Sequence, residues 1–333
     1  MRITIEDDFS PEKIARSGQC FRVREFPGGV FRFVTGKRVL YLRQTRSRRK
    51  DRHSAGDINP EAIHFEVSCG TAAWRDLWTG YFDLDRNYAA LRASIPASDD
   101  CLCRAAAYGA GLRILRQDPW EILVTFIISQ RKSVPAIRTC VETLCNRYGE
   151  EIPRRKRVRS IGDVSNDISG DISGGPSGGP FGSSGESCSL LQAAENADAG
   201  LRSFPTAEQL ASVSAEELKA CGLGYRVPYV MDAARKVSEG TLDLKALYSA
   251  SGEELLASLK QVSGVGTKVA GCIGLFAYGR TGLAPVDVWI GRVIDCVYGG
   301  CDPFAAYGDA AGIMQQYIFH YALAHKKEFT SGR

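Results

Sequence analysis

The stretch Leu259–Ile294 reads LKQVSGVGTKVAGCIGLFAYGRTGLAPVDVWIGRVI, and its punctuation decides the architecture. Just upstream, residues 252–260 (GEELLASLK) put Leu255, Leu256 and Leu259 on one helix face. Gly264 and Gly266 bracket Val265 in a turn that needs residues tolerant of unusual backbone angles. Thr267 opens a second helix, and a glycine-rich turn feeding a helix N-terminus aims several backbone N–H groups one way. That arrangement suits a phosphate. Val265 at the tip either anchors the turn or presses on a sugar, a contact that positions a nucleic-acid backbone and reads no sequence. A purely structural turn between helices has the same pattern, so the hairpin alone leaves both readings open.

Lys268 follows the turn directly, with Val269, Ala270, Cys272 and Ile273 around it. The apolar surroundings predict a partly desolvated amine able to act as a nucleophile. Asp287 follows Pro285-Val286 and precedes the apolar run VWIGRVI, the place of a helix N-cap. Backbone donors there hold a carboxylate that can face a developing positive charge, although a plain cap has the same sequence. Lys268 and Asp287 are thus read as one active site on a DNA-binding hairpin.

GVGTKVAxC followed by PVDVW resembles the helix-hairpin-helix, Gly/Pro-rich loop, aspartate superfamily of DNA glycosylases, and more narrowly the 8-oxoguanine DNA glycosylases. In that superfamily a lysine at the place of Lys268 marks bifunctional glycosylase/lyases acting through a lysine imine, with Asp287 stabilising the sugar cation. The resemblance extends to SGQCFR at 17–22, where the carbonyl of Gly18 would accept the N7 proton that 8-oxoguanine has and guanine lacks. Such a bond discriminates because the wrong base leaves the carbonyl unpaired. Cys272, Gln315 and Phe319 match residues that line the base pocket. Leu223-Gly224-Tyr225-Arg226 matches a motif whose tyrosine wedges into the stack and whose arginine faces the base left behind. The turn Gln130-Arg131-Lys132 matches one that enters the gap left by the flipped base. It departs from the family's asparagine-rich form, and Ala136 stands where animal members carry an arginine that reads the opposite cytosine. Trp289 stands where they carry histidine. The resemblance also implies a monovalent cation held by backbone carbonyls of Lys260, Val262 and Val265, with no cofactor required.

The chain has 333 residues, enough for two or three packed subdomains, and a net charge of +4. That charge fits a local basic face for nucleic acid without establishing one. Eleven cysteines lack paired metal spacing and four histidines are not clustered, so free, mostly buried thiols are expected. No N-terminal apolar segment, long apolar run or anchor motif is present. The expectation is a monomeric, intracellular, DNA-associated protein, nuclear or nucleoid according to the cell, that binds damaged duplex DNA and no membrane.

The fold class expected is α+β, an N-terminal antiparallel β subdomain (1–70) ahead of a mostly helical core. Strands are read in MRITIE, QCFRVREF, GGVFRFVTG, KRVLYLRQ and AIHFEV. The run Arg43, Arg46, Arg48, Arg49, Lys50 and Arg52 is read as a solvated loop, with phosphate contact as the alternative. A helical subdomain follows over 71–152, in which Asp118 caps a helix, Pro119 takes its first position and Glu121 closes a capping box. Residues 153–200 combine the basic PRRKRVRS with a Gly/Ser/Pro-rich tract, read as an unfolded insertion. Residues 201–333 hold the hairpin, the aspartate and a C-terminal helix. Two other functions remain open on the sequence: an alkyl-purine glycosylase of the same fold, and a non-catalytic helix-hairpin-helix DNA-binding module.

Overall fold

The computed structural model describes residues 1–45, 62–153 and 184–329, the backbone alone for 184–189. Most of the arginine run (Arg46, Arg48, Arg49, Lys50, Arg52) and the basic cluster after Pro153 lie outside the described residues. Strands β1 (Arg2–Ile5), β2 (Arg24–Phe26), β3 (Val30–Thr35), β4 (Arg38–Thr45) and β5 (Ile63–Val67) form one antiparallel sheet in the order β1-β5-β4-β3-β2. Helix α1 (Pro11–Arg16) lies between β1 and β2. Of the segment QCFRVREF only its last three residues pair. Gly18 sits at φ +79 and the Gln19 side chain is buried, so the chain from Ser17 to Val23 is a fixed loop, not a strand.

Period-two alternation divides the sheet's side chains. Phe31, Phe33, Leu40, Leu42, Phe65 and Val67 face the main core. There Phe33 and Phe65 meet Phe82 and Phe9 edge-on, with ring centroids 5.1 and 5.2 Å apart. Phe26, Val30 and Tyr41 point to the opposite face, and that face is covered too.

The cover corrects the reading of 153–200 as unfolded throughout. After two short helical pieces, α2 (Thr71–Ala73) and α3 (Thr79–Tyr81), joined by a π-helical turn at Trp74–Trp78, come α4 (Tyr88–Ala93), α5 (Asp100–Tyr108), α6 (Pro119–Ser129) and α7 (Val134–Tyr148). The next helix, α8 (Ser184–Ala197), falls inside the Gly/Ser-rich stretch, and its Leu190, Leu191 and Ala194 pack on Phe26, Val30 and Tyr41. Just past it, Asp198 forms a buried ion pair with Arg32 at 2.7 Å and accepts the Tyr41 hydroxyl at 2.9 Å. Averaging composition over the whole stretch hides these few apolar residues.

The remaining helices are α9 (Ala207–Ala211), α10 (Ala215–Ala220), α11 (Val227–Ser238), α12 (Gly252–Leu259), α13 (Thr267–Phe276), α14 (Val288–Tyr298) and α15 (Ala311–Ala324). Asp118 caps α6 as expected, accepting the Glu121 N–H at 2.9 Å. Glu121 does not complete the box. Its buried carboxylate turns inward and lies 3.9 Å from Arg22, because a buried guanidinium attracts it more than an exposed cap N–H does. Burial pushes the Glu121 carboxyl up to about 7 against the pull of Arg22. Among the described residues no helix is long and apolar enough to cross a membrane, and the described cysteines are free thiols.

Candidate active site

The hairpin forms as its sequence dictates: α12 ends at Leu259, Gly264 turns at φ +79, and Gly266 precedes α13 with no side-chain cap. The N–H groups of the first turn of α13 therefore lack the usual intrahelical and side-chain partners. Val265 is buried, which favours its anchoring role. Its N–H donates to the Val262 carbonyl at 3.0 Å, and that oxygen retains a second lone pair.

Two residues that the sequence reading passed over fix the hairpin from α11. The Asp232 carboxylate accepts the Ser263 N–H at 2.8 Å and the Lys236 ammonium at 2.8 Å, while Lys236 also donates to the Gln261 carbonyl. Burial raises the Asp232 carboxyl, but the hydrogen bonds from Lys236 and Ser263 outweigh it and hold the group well below the usual carboxylate range. The four-residue spacing of Asp232 and Lys236 was the available signal. Their target across the chain was not.

Lys268 lies on the first turn of α13, and the structure corrects the expectation of desolvation: the residue is exposed. Its sequence neighbours Val269, Ala270, Cys272 and Ile273 are buried, whereas the lysine, on the first turn, lies at the surface. Its Nζ lies 5.8 Å from the centre of the Phe126 ring, a partner contributed by α6. Asp287 is the N-cap of α14, and its Oδ1 accepts the Trp289 and Ile290 N–H groups at 3.0 and 2.8 Å. Cys272 joins the two. Burial pushes its thiol up to about 11, with Lys268 drawing it down and Asp287 pushing it up. Amine, thiol and carboxylate therefore share one site, and the thiol is neutral at physiological pH.

Helix α15 packs close by, against Pro285 and the loop of Gly18. The Gln315 amide donates to the Pro285 carbonyl at 3.1 Å, and its Oε1, though buried, has no partner among the described residues. Gly18 approaches the Phe319 ring so closely that a Cβ there would lie 3.4 Å from it. The loop that presents Gly18 is held from both sides. The Gln316 amide donates to the Ser17 carbonyl at 3.0 Å, and the Gln19 amide donates to the Arg113 carbonyl at 2.8 Å. Gly18, Cys272, Gln315 and Phe319 are thus brought to one region, 301 positions apart in sequence at the extremes (319 − 18).

A second group borders the hairpin. Tyr225 is 51% exposed, as a wedging residue requires, whereas Arg226 is only 5% exposed. The expectation that Arg226 faces an unpaired base is corrected here: its guanidinium donates to the carbonyls of Leu223 and Gln130. The Gln130 amide donates to the Gly264 carbonyl at 3.0 Å, and Lys132 donates to the Gly222 carbonyl at 2.7 Å. On the other side of Asp287, the Trp289 ring has Arg292 at 4.9 Å and Lys326 at 5.5 Å.

Residues 124–303 match the HhH-GPD superfamily of base excision DNA repair proteins, and residues 2–123 match the 8-oxoguanine DNA glycosylase N-terminal domain. The chain belongs to the HhH-GPD superfamily. It is 35% identical over 118 residues to a probable N-glycosylase/DNA lyase of Methanothermobacter thermautotrophicus, covering 33% of this chain and 38% of that protein. To the N-glycosylase/DNA lyase of Saccharomyces cerevisiae it is 28% identical over 194 residues, 55% of this chain and 41% of the yeast protein. These alignments span about two fifths of the length of each relative. The solved structure of MBOgg1 in complex with low affinity DNA ligand superposes with a TM-score of 0.74 at 27% identity, covering 98% of this chain and 96% of that one.

Proposed function

We propose that this chain is a bifunctional DNA glycosylase/AP lyase that excises 8-oxoguanine from duplex DNA in base excision repair. The observation that carries the reading is the convergence of Lys268 and Asp287 on the buried Cys272 thiol, with Gln315 bonded to Pro285 and Gly18 set against Phe319. The glycosylase N-terminal family match and relatives named N-glycosylase/DNA lyase support it.

The chemistry follows from the groups present. The first-turn N–H groups of α13, with Gly264, Val265 and Gly266, grip the DNA backbone. Tyr225 and the Gln130–Lys132 turn fill the stack while the damaged base swings out of the duplex. Gln315, Phe319 and Cys272 hold it, and the Gly18 carbonyl accepts its N7 proton. Asp287 stabilises positive charge on the sugar as the bond from C1′ to the base breaks and the base leaves with that electron pair. The Lys268 amine bonds to C1′, loses its proton, and becomes an imine as the sugar ring opens. The imine acidifies the C2′ proton, whose removal expels the 3′ phosphate by β-elimination. Exposure of Lys268 assigns exclusion of water to the DNA that covers it. A monovalent cation on the carbonyls of Lys260, Val262 and Val265 belongs to the same proposal, as does action as a monomer wherever DNA is kept.

Borohydride trapping on a duplex carrying one 8-oxoguanine tests the reading. A covalent adduct is expected with the native chain and none with Lys268→Gln. Asp287→Asn should slow base release by about 100-fold, the scale on which loss of one electrostatic stabiliser is felt. Full adduct yield from Lys268→Gln would refute the lysine assignment. No adduct with 8-oxoguanine left intact would refute the substrate, and a methylated duplex would then test the alkyl-purine alternative.

A further inference from the structure

Helix α11 lays one stripe of side chains along the hairpin. Tyr229, Asp232 and Lys236, spaced three and four apart and so on one helix face, meet Gly264, Ser263 and Gln261 in turn. The Tyr229 ring closes on Gly264, the Asp232 carboxylate accepts the Ser263 N–H at 2.8 Å, and the Lys236 ammonium donates to the Gln261 carbonyl at 2.5 Å. Lys236 also pairs with Asp232 at 2.8 Å, and Arg235 adds a third donor at 3.0 Å. The Asp232 side chain is only 12% exposed, so its oxygens are committed to these partners. A carboxylate beside a phosphate-binding turn opposes DNA by its charge. Its place is accounted for by what it holds.

A trans peptide is planar, with its N–H and C=O on opposite sides, and none of the described peptides is cis. Holding the Ser263 N–H toward α11 therefore turns the Val262 carbonyl away from it. Holding the Gln261 carbonyl toward α11 fixes the peptide before. Both peptides that flank Val262 are thus set by one ion pair on a neighbouring helix. The Val262 carbonyl, so aimed, accepts the Val265 N–H at 3.0 Å, which closes the turn that leads into the uncapped start of α13. Resting on the backbone grip of the reading above, we infer that Asp232 is a positioning residue for DNA binding, with Lys236 holding both it and the Gln261 carbonyl. The pair keeps the hairpin in the one shape that lines up the first N–H groups of α13 for a phosphate, and it sets affinity for the duplex without entering the chemistry at Lys268.

The test is the Kd for a duplex carrying one tetrahydrofuran abasic analogue, which the lyase step cannot consume, with the native chain, Asp232→Ala, Asp232→Asn and Asp198→Ala. Each substitution removes one negative charge, which by itself tightens binding to a polyanion. Asp232→Ala should nevertheless bind about ten-fold more weakly, the scale of one charge-assisted hydrogen bond. Asp232→Asn keeps an amide oxygen for the Ser263 N–H and should recover most of that loss. Asp198→Ala breaks a buried pair in the N-terminal sheet and should bind at least as tightly as the native chain, which separates the hairpin from general stability. Single-turnover excision of 8-oxoguanine at saturating DNA should change far less than Kd in Asp232→Ala. Binding by Asp232→Ala as tight as the native chain's, an equal loss in Asp232→Asn, or a loss confined to the saturated rate would overturn the inference and leave the glycosylase reading standing. A native chain that binds this duplex but gives no borohydride adduct with 8-oxoguanine would remove that reading and leave the Kd comparison to decide the inference. A native chain that binds no duplex would remove both.

Discussion

A Cβ on Gly264 would lie 2.4 Å from the Tyr229 ring, at a φ of +79, whereas one on Gly266 meets nothing within 4 Å. Two glycines that look alike in sequence therefore differ in what they require. Gly264→Ala should lower unfolding free energy by about 2–4 kcal/mol, from overpacking plus left-handed strain, while Gly266→Ala changes it by less than about 1 kcal/mol. Urea melts of the two variants check this, and equal losses would contradict it. Glu121 gives a pH-dependent case. Its folded-state carboxyl is raised from 4.5 to about 7, so the native state binds the proton more tightly than the unfolded chain. Its contribution is fully present below the ordinary carboxylate range and is lost as pH rises through about 7. Glu121→Gln should flatten the fall in stability between pH 5 and pH 8, read from melts across that range; an unchanged profile would sink the assignment. The capping pattern around Asp118 was legible because it is local. The inward turn of Glu121 was not, since it depends on Arg22, 99 positions upstream (121 − 22). The same limit hid the exposure of Lys268 and the burial of Arg226.

Elements show a similar division. Alternation in β3 and β4, and the helix-turn-helix of α12 and α13, were readable because one period or one turn type carries each. The cover on the outer face of the sheet was not readable, because the described side chains of α8 that reach it, Leu190, Leu191 and Ala194, come from a stretch dominated by glycine and serine. Beside those apolar contacts, a buried ion pair ties the end of the cover to the sheet. Arg32 and Asp198 are each 5% exposed at the side chain and paired at 2.7 Å. Removing one partner strands a buried charge. Asp198→Ala should cost about 3 kcal/mol and speed hydrogen exchange of the α8 amides before those of β3. Continued protection of α8 in that variant would show that its apolar contacts suffice. Asp232 plays the corresponding part for the hairpin, holding its turn to α11 through Ser263 and Lys236.

At the scale of the molecule, the division into an N-terminal sheet and a helical core describes composition better than stability. The two family matches meet at 123/124, inside α6, which runs unbroken from Pro119 to Ser129 with Ile122 to Ile128 all buried. One apolar cluster extends from Ile5 through Phe126 to Phe329. The loop bearing Gly18 is bonded to Arg113, Leu115 and Gln117 ahead of α6 and, through Ser17, to Gln316 on α15. The close approach of Gly18 to Phe319, between the first and last parts of the chain, needs such bracing, since small displacements would break it. Cutting at the family boundary would leave half a helix, expose Ile122 and Leu123, and remove α8 from the outer face of the sheet. Residues 1–123 expressed alone should therefore lack the near-ultraviolet dichroism of packed aromatics, although Phe9, Phe33, Phe65 and Phe82 are all present in that fragment. The intact chain should keep that signal and lose it together with its helical signal in one denaturant transition, because one apolar cluster of the described residues runs through both parts. A fragment that retains packed aromatics and melts cooperatively would mean that the sheet is a domain in its own right, docked on the helical core instead of built into it.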